Sequence, residues 1–406
     1  MSTDVGFLDE LMTMCSAFFS TVSNWFPIIS KKRLLPRAES LKTESDASTA
    51  LLLLCMKLAT QLLSETEDAR SLLYWTCRQF FARIENTPLL SLALLQAKLL
   101  IALYEIGHGI YPAGYLSIGH AARLGHIMGL QDRKNAPQLF RAAPTLTGRE
   151  EERRTWWAVV VLDRIVNLGM YGGSLATGEP LNNELLPCND DLWEQGAISG
   201  NGLVFGPNLE STDVGRYAQI CQAAHVLGRV QRHCADHQLD TSFRLREAMQ
   251  LDRALLALDA TIQKTTTPPQ MHYSDDAIAI CCSARFLLYE LYACNESGDN
   301  FMFPTGDEAD MQKLALAGLE QCVERMYHVA LRVCRDLSVS FHPGSMLVTH
   351  ALYWAAAECR WYIKEGKQEA VIVSETILDA LKILNRRWRR AGDYIRLLER
   401  EEMLSE

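Results

Sequence analysis

Charged side chains interrupt a strongly apolar helix that the sequence predicts at residues 149–164, REEERRTWWAVVVLDR. When buried, such groups either bind a ligand or form ion pairs, because an unpaired buried charge costs several kcal/mol. Successive residues of a helix point about 100° apart, so Asp163 and Arg164 are each expected to find a partner on another element. We predict a structural charge network of Arg153, Arg154, Asp163 and Arg164. The alternative is a small-molecule pocket at the same place.

Two further groups have a spacing that suits a metal ion. Asp190 and Asp191, in DDLWE, are similar to the aspartate-rich motif with which terpene synthases hold magnesium. No second metal motif follows them, so they are predicted to be loop or cap carboxylates. His233 and His237 lie four residues apart and suit zinc, but a third ligand is missing. They are predicted to lie at a solvated helix end, and no metal or cofactor is predicted.

Motifs for nucleophilic or phosphate chemistry are absent or incomplete. The sequence contains no Gly-Lys-Ser phosphate loop and no HExxH, and GGSLA around Ser174 fails the GxSxG pattern at its last position. Cys281 and Cys282 alternate faces within an apolar helix and are predicted to be small core residues. The sequence therefore predicts no catalytic residue.

The charge balance argues against a protein that grips nucleic acid over a broad surface. The net charge is −9, and the basic clusters that stand out are KKR at residues 31–33 and RRWRR at residues 386–390. The second cluster is predicted to lie on a C-terminal helix, with Trp388 inward and the arginines on a solvated face. Any contact with DNA is therefore expected to be indirect.

Cysteine usage and the apolar stretches indicate an intracellular, soluble chain. Twelve cysteines occur, none of them in a CxxC pair, and the first residues lack the basic region of a signal peptide. Lys57 and Lys98 interrupt the longest apolar stretches, which are shorter than the roughly 20 clean residues that a membrane span needs. No contact with a membrane is expected.

Helical periodicity extends through most of the sequence, and no convincing strand alternation accompanies it, so the predicted fold is all-α. Residues 92–130 are predicted to form a helical hairpin. A break rich in Gly, Pro and Asn gives the predicted organisation: a regulatory region at residues 1–190, a loop at 191–212 and a C-terminal helical set at 213–406 packed on the first. The other amphipathic runs are predicted at residues 48–86, 150–168, 213–237, 241–264, 275–295, 307–337, 345–365 and 368–403.

The apolar helix has its own predicted start and core. Thr147 and Glu150 have the spacing of a capping box, which places the helix start near Gly148. The three glutamates at residues 150–152 would then lie in the first turn, where the helix dipole favours carboxylates. Trp156 and Trp157 belong to a nearly complete apolar circumference and are predicted core residues, with Arg153 stacked on Trp157.

These segments resemble a known family. EERRTWWAVVVLDR (151–164) followed by NNELLP (182–187), FFSTVSNWFPIISKKRLL (18–35) and GHAARLGHIMGLQDR (119–133) resemble the fungal-specific transcription factor domain, the middle homology region of zinc-cluster regulators. The resemblance spans residues 7–190.

The resemblance implies an all-helical regulatory domain that acts in the nucleus and has no catalytic activity. The residues that match the family's motif are Arg153, Arg154, Trp156, Trp157, Asp163 and Arg164. Family members govern catabolic or secondary-metabolite genes. The expected partners are a small-molecule effector and other transcription factor or co-regulator chains. The six-cysteine zinc cluster that ordinarily precedes this domain is missing from the sequence, so DNA would be reached indirectly. The alternative is an all-helical, terpene-synthase-like enzyme of a metabolite pathway.

Overall fold

Helices account for the regular structure of this protein. The computed structural model describes residues 2–41, 43, 45–64, 66–169, 173–181, 184–198, 202, 214–236, 240–265, 275–293, 306–336 and 344–405. Within these ranges α-helices and short 3-10 turns occur and no β-strand does, which confirms the prediction of an all-α fold.

The α-helices are numbered in chain order. Their bounds are α1 Ser2–Ser20, α2 Lys31–Ser40, α3 Ala47–Thr60, α4 Leu72–Glu85, α5 Leu92–Gly107, α6 Ala113–Ile127, α7 Leu146–Val166, α8 Asp190–Glu194, α9 Arg216–Ala235, α10 Thr241–Thr265, α11 Asp275–Ala293, α12 Asp307–Asp336, α13 Thr349–Lys364, α14 Glu369–Asn385 and α15 Arg389–Ser405.

Two of the predicted helical runs are each divided in the structure. Residues 48–86 form α3 and α4, and α4 has its own N-cap at Ser71, whose hydroxyl accepts a hydrogen bond from the amide of Tyr74. Residues 368–403 form α14 and α15, separated by a turn in which the Trp388 indole donates to the carbonyl of Gly344 at 2.9 Å. Both breaks interrupt sequence that stays amphipathic, so periodicity alone did not reveal them.

The chain forms two compact units. The first unit comprises Met1–Asn167 and Ser174–Cys221, and the second comprises Leu168–Gly173 and Gln222–Glu406. The first unit holds the motif helix α7, and the second holds the helices from α10 onward.

Helix α5 is the buried centre of the first unit. Every residue from Ala93 to Gly107 is buried, and the helix packs against α3, α4, α6 and α7. The predicted hairpin is confirmed, because α5 and α6 pack along each other. Their close approach depends on Gly114, where an added Cβ atom would lie 3.1 Å from Cγ1 of Ile106.

Helix α11 has the corresponding position in the second unit. It packs against α10, α12 and α13, and Cys281 and Cys282 are 0% and 3% exposed, which confirms them as core residues. Among the described residues of the whole chain, none of the helices combines the length and the apolar character that crossing a bilayer requires.

Candidate functional site: the charge network of helix α7

Helix α7 begins two residues before the predicted capping box. Thr145 is the N-cap, and its hydroxyl oxygen accepts a hydrogen bond from the amide of Gly148 at 3.1 Å. The expectation that Thr147 caps the helix is therefore wrong. The glutamates lie beyond the first turn and are buried, since Glu150, Glu151 and Glu152 are 0%, 6% and 8% exposed. Each needs a partner in the interior and not the helix dipole alone.

The two tryptophans of the motif lie inside the first unit. The Trp157 side chain is buried, and its indole donates a hydrogen bond of 3.0 Å to the carbonyl of Leu185, which follows α7 in the chain. Trp156 packs on α6, where the ring of His126 meets it edge-on at 5.2 Å. A Cβ atom added to Gly125 would lie 2.6 Å from the Trp156 ring, so this glycine makes room for the tryptophan.

Arg154 joins distant segments of the first unit through one buried guanidinium group. Nε donates to Glu150 at 3.0 Å, and Nη1 donates to Asp190 at 2.8 Å and to the carbonyl of Pro27 at 3.4 Å. Nη2 donates to the carbonyl of Cys188 at 2.7 Å. Only arginine offers this fan of donors in fixed geometry, which explains why the position is charged.

The surroundings of Arg154 keep its charge in place. Burial alone would lower the pKa of this group, but the carboxylates of Asp190 and Glu150 outweigh burial and raise the pKa. The rings of Trp193 and Tyr217 lie 4.8 and 5.7 Å from the guanidinium carbon, as in cation–π contacts. The cation is therefore fully compensated although it has no exposed surface.

Asp190, predicted to be a loop or cap carboxylate, lies at a helix N-terminus. It opens the short helix α8, because the side chain of Asn189 caps this helix and accepts from the amides of Asp191 and Leu192. Asp190 is 5% exposed and bonds with Arg154 and with the amide of Tyr217. Its oxygens are thus engaged by the protein's own donors, unlike those of a magnesium-binding aspartate.

Arg153 has a different partner from the one that the sequence suggested. Its guanidinium pairs with Oε2 of Glu150, one turn earlier on α7. Arg153 and Trp157 are both described in the structure, and no cation–π contact joins them. The predicted stacking is therefore wrong, because Glu150 lies within reach on the same helix and offers a full negative charge.

Glu151 anchors a second buried site that the sequence analysis missed. It accepts hydrogen bonds from the amide of Ser30 at 2.9 Å and from the side chain of Gln96 at 3.3 Å, and it pairs with Arg33. Burial raises the pKa of Glu151, although Arg33 opposes this shift. The polar Gln96 within the largely apolar α5 was the available signal, because buried amides need specific partners.

Asp163 and Arg164 pair directly, contrary to expectation. Nη1 of Arg164 lies 2.5 Å from Oδ2 of Asp163 and 2.7 Å from the hydroxyl of Thr177, and that hydroxyl donates to Asp163 at 2.7 Å. The amides of Ala176 and Thr177 also donate to Asp163. The long arginine side chain turns back toward its neighbour because the segment at residues 176–178 offers both residues a common partner. Arg164 also donates to the carbonyl of Gly178.

The other candidate residues do not join this network. His233 is buried in the second unit, where its ring nitrogens bond with Glu247 at 2.7 Å and Tyr292 at 2.8 Å, so the prediction of a solvated helix end is wrong for it. His237 lies outside the described residues. Within those residues, no group of histidine, cysteine and acidic side chains has the arrangement that a metal ion needs.

The C-terminal basic cluster is less solvated than predicted. Residues 386–390 span the turn between α14 and α15, and Trp388 is inward as expected, with 1% of its surface exposed. Arg387 and Arg390 are 6% and 8% exposed, so they do not form a solvated face. Burial lowers the pKa of Arg387 to about 10.

The family model of the fungal-specific transcription factor domain matches residues 15–255, which is more than half of the chain. The chain belongs to this family. Its members regulate transcription and are not enzymes, so the terpene-synthase-like alternative is not supported. No solved structure matches the chain.

Similar curated proteins are fungal transcription factors. Transcription factor BOA15 of Botryotinia fuckeliana is 41% identical over 150 residues, which cover 37% of this chain and 83% of that protein. Transcription factor tazR of Aspergillus terreus is 32% identical over 40% of this chain and 26% of its own length. The pigment biosynthesis transcriptional activator pigB of Monascus ruber is 25% identical over 53% of this chain and 41% of its own length. The chain thus spans less than half of the two longer relatives.

Proposed function

We propose that this chain is the regulatory module of a transcription regulator that controls a secondary-metabolite gene cluster in the nucleus. The family match over residues 15–255 carries the proposal, since it covers the motif helix and the segments bonded to it. The names of the relatives support the class of target genes, because one is a pigment biosynthesis activator and another an azaphilone cluster-specific factor.

The charge network acts, in this proposal, as the frame of the module. The protein's own carboxylates, amides, hydroxyls and carbonyls form the ion pairs and hydrogen bonds of the four charged side chains, Arg153, Arg154, Asp163 and Arg164. A ligand at this place would have to displace several charge-assisted hydrogen bonds, each of which contributes about 1.5–3 kcal/mol. The network therefore holds α7 against the segments at residues 176–178 and 188–190.

Contact with DNA is indirect in this proposal. The net charge is −9, and the basic side chains at positions 33, 387 and 390 are engaged in the interior or with a buried glutamate, so they offer no broad cationic surface. DNA would be reached through a zinc-cluster domain, carried by a longer form of this protein or by a partner regulator. A small-molecule effector and co-regulator chains are the remaining proposed partners.

Deletion of the gene in its host tests the function. We expect transcripts of one co-located set of biosynthetic genes to change by tenfold or more, while housekeeping transcripts stay constant, and re-expression of the chain to restore them. Unchanged transcripts under every condition that induces the metabolites would refute the proposal.

Purified protein tests the indirect contact with DNA. In a gel-shift assay at about 0.15 M salt, the isolated chain should leave promoter fragments of those genes unshifted, because its net charge of −9 disfavours binding to the phosphates. Chromatin immunoprecipitation of the tagged chain should nevertheless recover the same promoters from cells. Sequence-specific shifts by the isolated chain would contradict this part of the proposal.

A further inference from the structure

A cavity of about 560 Å³ lies within the second unit, where helices α12, α13 and α14 meet. It lies beyond residue 255, where the family match ends. Its volume falls within the roughly 300–1,000 Å³ typical of small-molecule sites. The apolar part of the lining consists of Val323, Cys359, Ala370 and Val373.

Negative charge dominates the rim of this cavity. Glu320, Glu324 and Glu369 supply carboxylates, and Lys367 supplies one ammonium group. The aromatic ring of Tyr362 forms part of the wall between these charges. Burial is the largest cause that raises the pKa of Tyr362, and the nearby carboxylates of Glu358 and Glu320 add to the shift.

The chain itself places a primary ammonium group in the cavity mouth. Nζ of Lys367 lies 4.4 Å from the centroid of the Tyr362 ring and 2.5 Å from Oε1 of Glu320. An aromatic face combined with a carboxylate is a favourable environment for an organic cation, since both act on the same positive charge. The site is therefore already matched to an ammonium group, and Lys367 occupies it.

This internal ammonium can be displaced at low cost. The side chains of Lys367 and Glu320 are 47% and 58% exposed, and such exposed pairs contribute about 0–1 kcal/mol. The backbone beneath is held separately, because the amide of Lys367 donates to the carbonyl of Tyr362 at 2.9 Å, after Gly366 with a φ of 86°. The lysine side chain can swing away while the cavity keeps its shape.

We propose that this cavity binds a small organic amine, whose ammonium group replaces that of Lys367 between Tyr362 and Glu320 and whose apolar body lies on the wall of Val323, Cys359 and Val373. This ligand would be the effector of the regulatory module, and in that respect the inference rests on the proposed function. Neutral and anionic molecules of the same shape bind weakly, because the rim carries more negative than positive charge.

Isothermal titration calorimetry of the full chain with two probes tests the chemistry. The probes are 4-phenylbutylamine and its neutral isostere 4-phenyl-1-butanol, at pH 7.5. We expect the amine to bind at least tenfold more tightly than the alcohol, which corresponds to about 1.4 kcal/mol. Equal affinity for the two probes, or no binding of the amine at concentrations of roughly a millimolar, would overturn the proposal.

Two variants of the cavity mouth should change the affinity for the amine in opposite directions. Lys367→Met removes the competing ammonium and should raise the affinity for the amine about threefold or more, whereas Glu320→Gln should lower it by a similar factor. Tyr362→Leu should weaken the amine and leave the alcohol unchanged. Affinity changes equal for both probes would show that the ammonium group is not recognised there.

A matched ion pair on α14 provides the control. Lys382 and Asp379 are paired at 2.8 Å with side chains 64% and 61% exposed, and neither lines the cavity. Lys382→Met and Asp379→Asn change the net charge as Lys367→Met and Glu320→Gln do, and should leave both affinities unchanged. If these controls moved the affinity for the amine equally, long-range charge and not the cavity would explain the binding. This binding assay is independent of transcription, so its failure would leave the transcript result standing, and the converse also holds.

Discussion

Replacing Asp163 by asparagine should destabilise the first unit strongly although the two side chains have the same size. Asp163 accepts hydrogen bonds from the amides of Ala176 and Thr177, from the Thr177 hydroxyl and from Arg164. Asparagine keeps one acceptor oxygen, but the amide nitrogen that replaces Oδ2 cannot accept the bonds from the Thr177 amide, the Thr177 hydroxyl and Arg164. The substitution also leaves the cation of Arg164 without its carboxylate.

The magnitude follows from the burial of this pair. Asp163 and Arg164 are each 1% exposed, and burial already lowers the pKa of Arg164 despite the opposing effect of Asp163. Breaking a buried pair from one side typically costs about 3–5 kcal/mol. By contrast, Asp379→Asn breaks an exposed pair and should cost no more than about 1 kcal/mol. We therefore expect the two asparagine variants to differ by about 3 kcal/mol in the free energy of unfolding.

Urea denaturation followed by far-ultraviolet circular dichroism measures this difference. A double-mutant cycle then shows how much of it comes from the pairing of Asp163 with Arg164. In Asp163→Asn/Arg164→Met the unpaired cation is gone, so the double variant should be more stable than Asp163→Asn alone, with a coupling energy of about 1–3 kcal/mol. If Asp163→Asn unfolded within about 1 kcal/mol of the parent, or if the two substitutions were additive, the pair would not be the buried lock that the structure describes.

Three further perturbations test other parts of the structure. Arg154→Lys keeps the charge but loses the fan of donors, so unfolding should be easier by about 3–5 kcal/mol in the same urea assay. Gly125→Ala forces a methyl group against Trp156 and should cost about 1–3 kcal/mol, whereas Gly119→Ala on the same helix meets nothing within 4 Å and should stabilise by about 0.5–1 kcal/mol; equal effects in thermal melts would refute this packing. Asp276→Asn removes a carboxyl whose pKa burial raises to about 7, above the unfolded value of about 3.9. As the pH rises from about 4 through 7, the parent loses stability because Asp276 ionises, and the variant lacks this loss. The free energy of unfolding of the variant should therefore grow relative to that of the parent by up to about 4 kcal/mol over that range. A pH-independent difference would contradict the raised pKa.

The helical class and the main core positions could be predicted because they depend on local periodicity. Trp156 and Trp157 have apolar neighbours in nearly every direction of the helix, and such a helix can only be stable when packed on several sides. The hairpin of α5 and α6 followed from similar patterns and a short connection. These inferences needed no knowledge of what lies across the interface.

The partners of the charged residues could not be predicted, because they come from distant parts of the sequence. Glu152 was expected to be a first-turn carboxylate stabilised by the helix dipole, yet it accepts from the amide of Ala143 and pairs with Arg133 at 3.5 Å. Asp163 and Arg164 seemed to point apart until Thr177 supplied a common partner. Tertiary packing determines which distant loop lies against a helix, and local sequence patterns do not reveal that contact.

The bonds of Arg154 also limit how early the first unit can complete its folding during synthesis. Its guanidinium contacts Pro27 and Asp190, and its carbonyl accepts from the hydroxyl of Tyr217 at 3.0 Å, so the network joins residues 190 positions apart along the chain. A ribosome adds about 5–20 residues per second, and the first unit therefore cannot close until at least roughly ten seconds after Pro27 has been added. During that interval helix α7 has already been made, but Arg154 still lacks its partners Asp190 and Tyr217.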